Sequence, residues 1–410
     1  MITRNYYINK VHAGFKHLPI VVLIGARQVG KTSLMQQFET DKKTLFLNGQ
    51  DPEVAVLFQK RSLIEQYLRS YLNPDLDGFL LLDEFQFIEG ISTMLKLLTD
   101  SHAHLKVLCS GSSSLDILQK VEESLAGRVR VIEVLSLSFS EYLMFKDEKL
   151  ATLYHSFDKH TQNSALTAPI EQVYMEYLLF GGLPRAALTE NVEEKIEILN
   201  DIYQTYLLKD VRSYVKNEHM VGFNKMLRML ASQIGSMVNI NEISRESALP
   251  YKTCETYLNL LEQMYIIKLI EPYAANRRKS INKMKKVFFC DLGLRNMIDG
   301  NFNSIDFRAD NGAIFENCTM LELWRNRGAG GSVQFFRTFD GTEVDFIITR
   351  LSVKTAVECK FKVLKQPINL IGFNNFCIEE GIENRYVVNR NLNTTNNNVQ
   401  FIQGFLASQI

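Results

Sequence analysis

The sequence GARQVGKT at residues 25–32 directly follows an apolar run, Ile20-Val21-Val22-Leu23-Ile24. This is G-x-x-x-x-G-K-[ST] in the context that the motif needs: a buried strand, a glycine turn and a helix that begins at Lys31. The glycines let the backbone turn tightly, so that its N–H groups point at a phosphate chain beside the partial positive charge of the helix N-terminus. We expect Lys31 to reach the β- and γ-phosphates and the Thr32 hydroxyl to bind Mg²⁺. The alternative is an ordinary strand-to-helix turn.

The motif predicts a nucleoside triphosphate site that uses Mg²⁺. The residues expected to bind the nucleotide are Gly25, Ala26, Arg27, Gln28, Val29, Gly30, Lys31, Thr32 and Ser33. A second element supports this site, because the apolar strand Phe79-Leu80-Leu81-Leu82 ends at Asp83-Glu84 and resembles a Walker B box. We expect Asp83 to hold Mg²⁺ through water and Glu84 to orient and deprotonate the attacking water. The alternative for these residues is a pair of solvated acids at a strand end.

Length and composition limit the classes of protein to which the chain can belong. At 410 residues it is too long for one compact core, so two or three domains are expected. Lysine plus arginine and aspartate plus glutamate both number 46, so nucleic-acid binding would have to come from a local patch. The six cysteines include no C-x-x-C pair, which indicates reduced thiols in a cytoplasmic protein. No apolar run approaches the roughly 18 residues of a membrane span, and the polar start MITRNYYINK does not resemble a signal peptide.

The first 150 residues or so alternate between strand and helix patterns, which predicts a parallel sheet. The predicted strands are residues 19–24, 44–48, 79–82, 105–109 and 129–135. The fourth strand is followed by Ser110-Gly111-Ser112-Ser113, and polar residues at that strand tip would lie beside the phosphates. A serine-rich turn is the alternative.

Helical patterns dominate the middle of the chain. The segment GGLPR at 181–185 interrupts them, and an amphipathic stretch follows at residues 192–209. Residues 223–272 read as three helices and a strand, with residues 252–263 in the recognition position of a helix-turn-helix. The strand favours the winged form. The alternative is a small helical domain that contacts other proteins.

A basic segment follows this pattern at residues 277–286, where Arg277, Arg278, Lys279, Lys283, Lys285 and Lys286 occur without an acidic residue. Such a segment is usually a solvated face or a flexible loop. Its place after a winged-helix pattern also suits a wing that contacts the phosphates of DNA.

The last 110 residues or so contain a set of carboxylates and a lysine. Asp345 lies on one predicted strand, and Glu358 and Lys360 lie two apart on the next, so both face the same side. Antiparallel pairing would bring Asp345 near Glu358, and Glu316 on a preceding helix would add a third carboxylate. Such carboxylates can hold a divalent cation such as Mg²⁺ or Mn²⁺, while the lysine could activate water or stabilise a transition state. The alternative is a pair of polar-faced strands in a small α/β domain.

These motifs together resemble a prokaryotic ATPase family in which an AAA+-type P-loop module of the archaeal-ATPase branch precedes a winged helix and a PD-(D/E)xK nuclease-like domain. The resemblance extends over nearly the whole chain. It rests on GARQVGKT, LLLDEFQ at 80–86, CSGSSS at 109–114, LAGR at 125–128, LSFSEYL at 137–143, GGLPR at 181–185, CDLGL at 290–294 and the nuclease-like set.

The resemblance implies roles for further residues. Ser110 or Ser112 takes the sensor position, and Arg128 is a candidate trigger arginine that acts in cis or across a subunit interface. Pro184 would lie against adenine, with Arg185 near the γ-phosphate. The nuclease family needs an acidic residue before an x-K pair, and all four positions are filled, by Glu316, Asp345, Glu358 and Lys360.

We therefore expect an α/β protein with an ATPase core at residues 1–165, a helical lid at 166–220, a winged helix at 221–287 and a restriction-endonuclease-like domain at 288–410. The expected function is a cytoplasmic ATP-hydrolysing switch that binds DNA through the winged helix and basic segment, with a metal-dependent nuclease-like domain at its end. Two alternatives remain, a non-cleaving scaffold ATPase that binds a protein partner and an oligomeric remodelling ring.

Overall fold

A computed structural model describes residues 3–38, 43–112, 125–157, 164–210, 214–273, 284–338 and 341–410. The chain divides into two compact units. The first comprises Met1–Ser136 with Gln263–Tyr265, and the second comprises Leu137–Glu262 with Ile266–Ile410. The sequence placed the end of the ATPase core at residue 165, and that boundary stays a prediction. In the described ranges, no helix has both the length and the apolar character needed to cross a membrane.

The first unit is built on a parallel sheet. In the described ranges its strands are β1 (Ile20–Gly25), β2 (Thr44–Asn48), β3 (Gly78–Asp83), β4 (Leu105–Ser112) and β5 (Val129–Glu133). Every neighbouring pair is parallel, and the order is β2-β3-β4-β1-β5. All five strands predicted from sequence are confirmed. The near-continuous apolar run of β1, in which all six residues are buried, is typical of a parallel strand that is covered on both faces.

Helices connect and cover these strands. In the described part of the first unit they are Asn5–Phe15, Lys31–Gln36, Pro52–Leu57, Arg61–Tyr71 and Ile91–Ser101. The connection after β1 leads to β2 on one side of the sheet, whereas the connection after β4 leads past β1 to β5 on the other side. Ligands of open α/β sheets bind beyond the carboxyl ends of the strands at such a reversal. The GARQVGKT loop leaves β1 at this position.

The second unit begins with helices. The described α-helices before residue 251 are Phe139–Lys146, Glu148–His155, Ser164–Phe180, Pro184–Leu188, Val192–Ile202, Met220–Ser232 and Ile240–Ser247. The amphipathic stretch predicted at 192–209 is an α-helix only to Ile202 and continues as a π-helix over Tyr203–Asp210. Met220–Ser232, Ile240–Ser247 and the next helix, Tyr251–Gln263, precede an antiparallel pair, β6 (Ile267–Ile270) and β7 (Lys286–Phe289). This is the element order that the sequence predicted for the middle of the chain.

A mixed sheet forms the end of the second unit. Its described strands are β8 (Ser332–Arg337), β9 (Glu343–Arg350), β10 (Val353–Lys360), β11 (Asn384–Asn389), β12 (Thr394–Asn396) and β13 (Val399–Gln403), in the order β12-β13-β11-β10-β9-β8. β9 and β10 are antiparallel, as predicted, and β10 and β11 are parallel. The described α-helices of this region are Leu292–Asp299, Asn311–Arg325 and Ile371–Glu379.

Two motifs from the sequence, GGLPR and CDLGL, meet in the second unit. The Asp291 carboxylate accepts hydrogen bonds from the backbone N–H of Gly182 at 2.8 Å and of Leu294 at 3.0 Å. The backbones approach so closely that a Cβ at Gly293 would lie 2.0 Å from the Phe180 carbonyl oxygen. Glycine is therefore required at position 293 for steric reasons.

Gly293→Ala should lower the free energy of unfolding by about 1–3 kcal/mol or more, because the added methyl group cannot fit without backbone movement. Gly312→Ala is the matched control, since Gly312 is also helical and a Cβ there would meet no atom within 4 Å. The control should be neutral or stabilising by up to about 1 kcal/mol. Denaturant unfolding measures both, and equal effects of the two substitutions would contradict the steric interpretation.

Candidate functional site

The loop after β1 is shaped by close backbone contacts. Val134 N–H donates to the Ile24 carbonyl at 2.7 Å, so the chain after β5 stays beside the end of β1. A Cβ at Gly25 would lie 2.1 Å from the Val134 carbonyl oxygen, which excludes any side chain there. The loop then passes through left-handed backbone at Gln28 and Gly30 before the helix Lys31–Gln36 begins. These features produce the tight turn that the motif predicted.

Lys31 is buried and folds back onto its own loop. Its Nζ donates to the carbonyl oxygens of Gly25 at 3.0 Å and Ala26 at 2.8 Å. Burial lowers the pKa of Lys31 to about 8, against the opposing effect of the Glu84 and Asp83 carboxylates. Phosphate oxygens are stronger partners for an ammonium group than carbonyl oxygens, because the hydrogen bond is then assisted by charge on both sides. The site thus holds a cation ready for an anionic ligand.

The carboxylate of Asp83 joins residues from three neighbouring strands or their ends. Thr32, in the helix Lys31–Gln36 that follows the β1 loop, donates its hydroxyl to Asp83 Oδ2 at 2.7 Å, and the Ser110 hydroxyl on β4 donates to Asp83 Oδ1. Asp83 itself ends β3 and is only 5% exposed. A hydroxyl and a carboxylate are hard oxygen donors of the kind that Mg²⁺ prefers. The structure therefore brings the predicted metal ligands together, and it places Ser110 in contact with them.

Glu84 follows Asp83 in an unusual backbone conformation. Its φ and ψ angles are 49° and 41°, in the left-handed region that non-glycine residues rarely adopt. Gly49 after β2 holds this turn, because its N–H donates to the Asp83 carbonyl at 2.8 Å. A Cβ at Gly49 would lie 2.6 Å from the Glu84 carbonyl oxygen. Strained backbone of this kind concentrates at functional sites.

Arg4 supports the loop from behind and was missed at the sequence level. This buried side chain donates to the carbonyl oxygens of Val29 at 2.9 Å, Leu135 at 3.1 Å and Ser136 at 3.4 Å. Its guanidinium also lies 4.4 Å from the ring centroid of Tyr7, whose hydroxyl accepts from Leu135 N–H. A single arginine before an amphipathic helix carries no sequence signal for such a role.

Arg128 lies beside the amino-terminal end of β1, whereas the loop follows the carboxyl-terminal end. Its carbonyl accepts from the N–H of Ile20, the first residue of β1, whereas the loop leaves the other end of that strand. At about 3.3 Å per residue the two ends of β1 are roughly 17 Å apart. The guanidinium binds Asp100 through Nε at 2.6 Å and Nη2 at 3.1 Å. The structure thus does not bring Arg128 to the nucleotide loop of its own chain.

Two other predicted residues belong to the second unit. Pro184 is the first residue of the short helix Pro184–Leu188, and Arg185 follows it. Their segment is held by hydrogen bonds of Gly182, whose carbonyl accepts from Leu137 N–H at 2.7 Å. Their predicted contacts with adenine and the γ-phosphate stay predictions.

The four nuclease-like residues of the second unit lie close to one another. The Asp345 carboxylate on β9 accepts from the Cys359 N–H on β10 at 2.7 Å. Lys360 donates to Glu358 Oε1 at 2.6 Å. Glu358 is 8% exposed, and its other oxygen, Oε2, has no hydrogen-bond partner among the described residues. Glu316 comes from the helix Asn311–Arg325. We call Glu316, Asp345, Glu358 and Lys360 the carboxylate cluster.

Electrostatic interactions connect these carboxylates. Burial and then the Asp345 charge raise the pKa of Glu316 to about 8, and the same two causes raise the pKa of Glu358 to about 7. Burial also raises the pKa of Asp345. All three carboxyl groups thus have pKa values above their ordinary ones, which is a common property of functional sites.

Lys286 is the main correction to the sequence analysis. The sequence placed it in the basic segment 277–286 that was expected to contact DNA, but it begins β7 and is only 2% exposed. Its Nζ lies 3.0 Å from Glu316 Oε1 and 2.7 Å from Glu343 Oε1. A buried ammonium needs such partners, so Lys286 is unavailable to phosphates. Lys285 pairs with Glu271 at 3.1 Å, and residues 277–283 lie outside the described ranges.

The carboxylate cluster has the donors for a divalent cation but not the arrangement. In the part of the chain that the structure describes, no three histidine, cysteine, aspartate or glutamate side chains are placed so that they could hold a metal ion. Oxygen ligands of three carboxylates suit Mg²⁺ or Mn²⁺ chemically. The present geometry instead directs Glu316 to Lys286 and one oxygen of Glu358 to Lys360. The predicted second metal site is therefore not formed in this conformation.

Comparison with family models divides the chain into three segments. Residues 17–143 match a model described as "AAA domain". Residues 171–304 match "Domain of unknown function (DUF8612)", and residues 311–404 match "Domain of unknown function (DUF4143)". The carboxylate cluster lies within the last segment, whereas Lys286 lies within the middle one.

Similar proteins come from bacteria and archaea. An uncharacterized protein of Haemophilus influenzae is 24% identical over 379 residues, which are 88% of each chain. An uncharacterized protein of Methanocaldococcus jannaschii is 26% identical over 340 residues, 80% of this chain and 72% of that protein. Among solved structures, the Walker-type ATPase of Pyrococcus abyssi is 16% identical, with a TM-score of 0.50, and the match covers 73% of this chain and 96% of that one. Residues 17–143 therefore match an AAA domain, and the chain shares the fold of a Walker-type ATPase.

Proposed function

We propose that the first unit hydrolyses ATP with Mg²⁺ and that the protein works as an ATP-dependent switch. The observation that carries this proposal is the buried Asp83 carboxylate, which accepts from Thr32 and Ser110 at the carboxyl edge of the sheet. P-loop ATPases hold Mg²⁺ with a hydroxyl of the loop and an aspartate of a neighbouring strand. The Lys31 ammonium beside this group supplies the charge that a triphosphate requires.

The chain's own residues divide the work in this proposal. The backbone N–H groups of residues 25–32 and the Lys31 ammonium bind the phosphates, and Thr32 and Asp83 hold the ion. Bound Mg²⁺ would neutralise part of the negative charge on the phosphates. Ser110 keeps the Asp83 carboxylate in place, and Glu84 orients the attacking water and accepts its proton.

The position of Arg128 suits a trigger arginine that acts on the nucleotide of another subunit. Its own sheet separates Arg128 from the loop of the same chain, so a trigger role requires the nucleotide of a neighbouring copy. Arg128 and Asp100 are both partly exposed, with 34% and 45% of their side chains accessible, so the pair could open to receive a phosphate. We propose Pro184 and Arg185 as the contacts to adenine and the γ-phosphate on the basis of the family resemblance alone.

For the second unit we propose nucleic-acid binding and a metal-dependent nuclease-like role. Three helices followed by the β6–β7 pair have the order of a winged helix. In the carboxylate cluster, two observations support the proposal of a cation site: Glu358 Oε2 has no hydrogen-bond partner within the described ranges, and Asp345 lies nearby. Lys360 would stabilise charge that develops on a phosphate or help to activate water.

The rival proposal is a scaffold ATPase that binds a protein partner and does not cleave nucleic acid. It is favoured by the pairing of Glu316 with Lys286, which leaves the cluster without a formed metal site. One experiment separates the two proposals: purified protein is given ATP, Mg²⁺ or Mn²⁺ and several forms of DNA, and phosphate release and strand cleavage are both measured. ATP hydrolysis without any cleavage would support the scaffold.

Lys31→Ala should abolish ATP binding, because the phosphates lose the cation that is buried beside them. Isothermal titration calorimetry with ATP and Mg²⁺ measures the effect. Lys96→Ala, at an exposed lysine of the same unit, is the control and should bind ATP like the wild type. Affinity near that of the wild type in Lys31→Ala would refute the phosphate-binding role of the loop.

Glu84→Gln should retain ATP binding and lower the rate of hydrolysis at least tenfold, which is about 1.4 kcal/mol of barrier. The amide keeps the shape and hydrogen bonding of the side chain but cannot accept a proton. Phosphate release at saturating ATP is the measurement, and Glu89→Gln, at an exposed glutamate, is the control. A smaller loss would show that Glu84 is not the general base.

Asp345→Ala and Lys360→Ala should each eliminate Mn²⁺-dependent cleavage of DNA and leave ATP hydrolysis intact, since the cluster and the nucleotide loop belong to different units. A gel assay with plasmid DNA measures cleavage, and phosphate release in the same samples reports that the first unit is folded. Lys365→Ala, at an exposed lysine in the same segment, is the control. Cleavage that survives both substitutions would place the nuclease activity elsewhere.

A further inference from the structure

Lys286 is a buried cation that enters the carboxylate cluster from outside the set of nuclease-like residues. Its side chain is 2% exposed and lies over the ring of Phe335, with Nζ 5.3 Å from the centroid. Nζ is within hydrogen-bond distance of Glu316 at 3.0 Å and of Glu343 at 2.7 Å. An ammonium group is stable in such surroundings only when neighbouring charges compensate its loss of water.

Lys286 neutralises carboxylates that a metal ion would otherwise need. Burial alone would lower its pKa, but the Glu316, Asp345 and Glu343 charges together raise it above the ordinary value. Two carboxylates are in direct contact with the Lys286 ammonium, Glu316 and Glu343, and Glu316 belongs to the cluster. A divalent cation bound by Glu316 and Asp345 would meet this positive charge at short range, where repulsion is strong.

The two oxygens of the Glu358 carboxylate differ in their hydrogen bonding. Lys360 donates to Oε1 of Glu358, whereas the buried Oε2 has no partner among the residues that the structure describes. A buried carboxylate oxygen without a donor is costly. The cluster thus combines an open ligand oxygen with an internal cation that holds the adjacent carboxylate.

We infer that Lys286 is an internal counter-ion that takes the place of a divalent cation, and that the carboxylate cluster binds Mg²⁺ or Mn²⁺ only when the Lys286 ammonium leaves Glu316. This inference rests on the proposed cation site of the second unit and adds its regulation. Metal binding then requires a change in the position of β7 or of the Lys286 side chain. The cluster thus exchanges the Lys286 ammonium for a divalent cation. This explains why its oxygen donors suit a metal ion, although their present arrangement does not form a metal site.

Titration of the full chain with Mn²⁺, in the absence of ATP and nucleic acid, tests the inference. Calorimetry gives the affinity, and electron paramagnetic resonance counts the bound ions. Lys286→Met should bind Mn²⁺ at least tenfold more tightly than the wild type, and the gain should vanish in K286M/E358Q. Lys354→Met is the matched control and should not change the affinity for Mn²⁺. Lys354 lies on β10, and its Nζ is 3.0 Å from Glu380 Oε2. An affinity of Lys286→Met within threefold of the wild type overturns the inference.

If Lys286→Met is too unstable for titration, its thermal unfolding is measured with and without Mn²⁺ instead. If Mn²⁺ restores a cooperative transition to Lys286→Met, the inference is supported, because the metal replaces the missing ammonium. K286M/E316Q, which removes one charge of each sign, should be stable without Mn²⁺. If Lys286→Met remains unfolded at every Mn²⁺ concentration, the inference is overturned, since a metal then cannot take the place of the lysine.

Failure of the inference and failure of the proposed nuclease give different results. A Lys286→Met protein that binds Mn²⁺ tightly but cleaves no nucleic acid contradicts the nuclease and supports the counter-ion role. A wild type that cleaves DNA with Mn²⁺, while Lys286→Met shows unchanged Mn²⁺ affinity, supports the nuclease and overturns the counter-ion role.

Discussion

The buried carboxylate of Asp83 is the constraint around which the first unit is arranged. A carboxylate that is withdrawn from water needs donors, and here they come from Thr32 and Ser110. These donors can reach it only if the ends of β1, β3 and β4 lie side by side. The strand order β3-β4-β1 and the parallel pairings satisfy that requirement. The chemistry of the site and the topology of the sheet are thus two aspects of one arrangement.

The second unit relies on buried charges to a greater degree. Arg295 is 1% exposed and binds Asp310 at 2.5 Å and the Ala231 carbonyl at 2.7 Å. Lys286 is enclosed in a comparable way by Glu316 and Glu343. Breaking such a pair by removing one partner leaves an uncompensated charge in the interior, which is far more damaging than the loss of an exposed ion pair. The position of each helix and strand here is therefore tied to charge balance as well as to apolar packing.

The sequence predicted the parts of the molecule that carry local signals. The strands β1 to β5, the turn at GARQVGKT and the pairing of β9 with β10 all follow from apolar runs, glycine spacing and alternation. The role of Lys286 could not be predicted in this way, because a run of basic residues normally indicates a solvated segment. Its burial depends on Glu316 and Glu343, which are distant in sequence. The same holds for Arg4, whose acceptors are backbone carbonyls and leave no pattern among side chains.

Arg4 has a mechanical consequence for the first unit. Its guanidinium is planar and rigid, so the carbonyl groups that it binds keep nearly constant separations. One of them, Val29, belongs to the phosphate loop, and the others, Leu135 and Ser136, end the first continuous segment of this unit. A displacement of the loop must therefore either break these hydrogen bonds or carry residues 135–136 with it. As long as the Arg4 hydrogen bonds persist, the phosphate loop and residues 135–136 consequently move together.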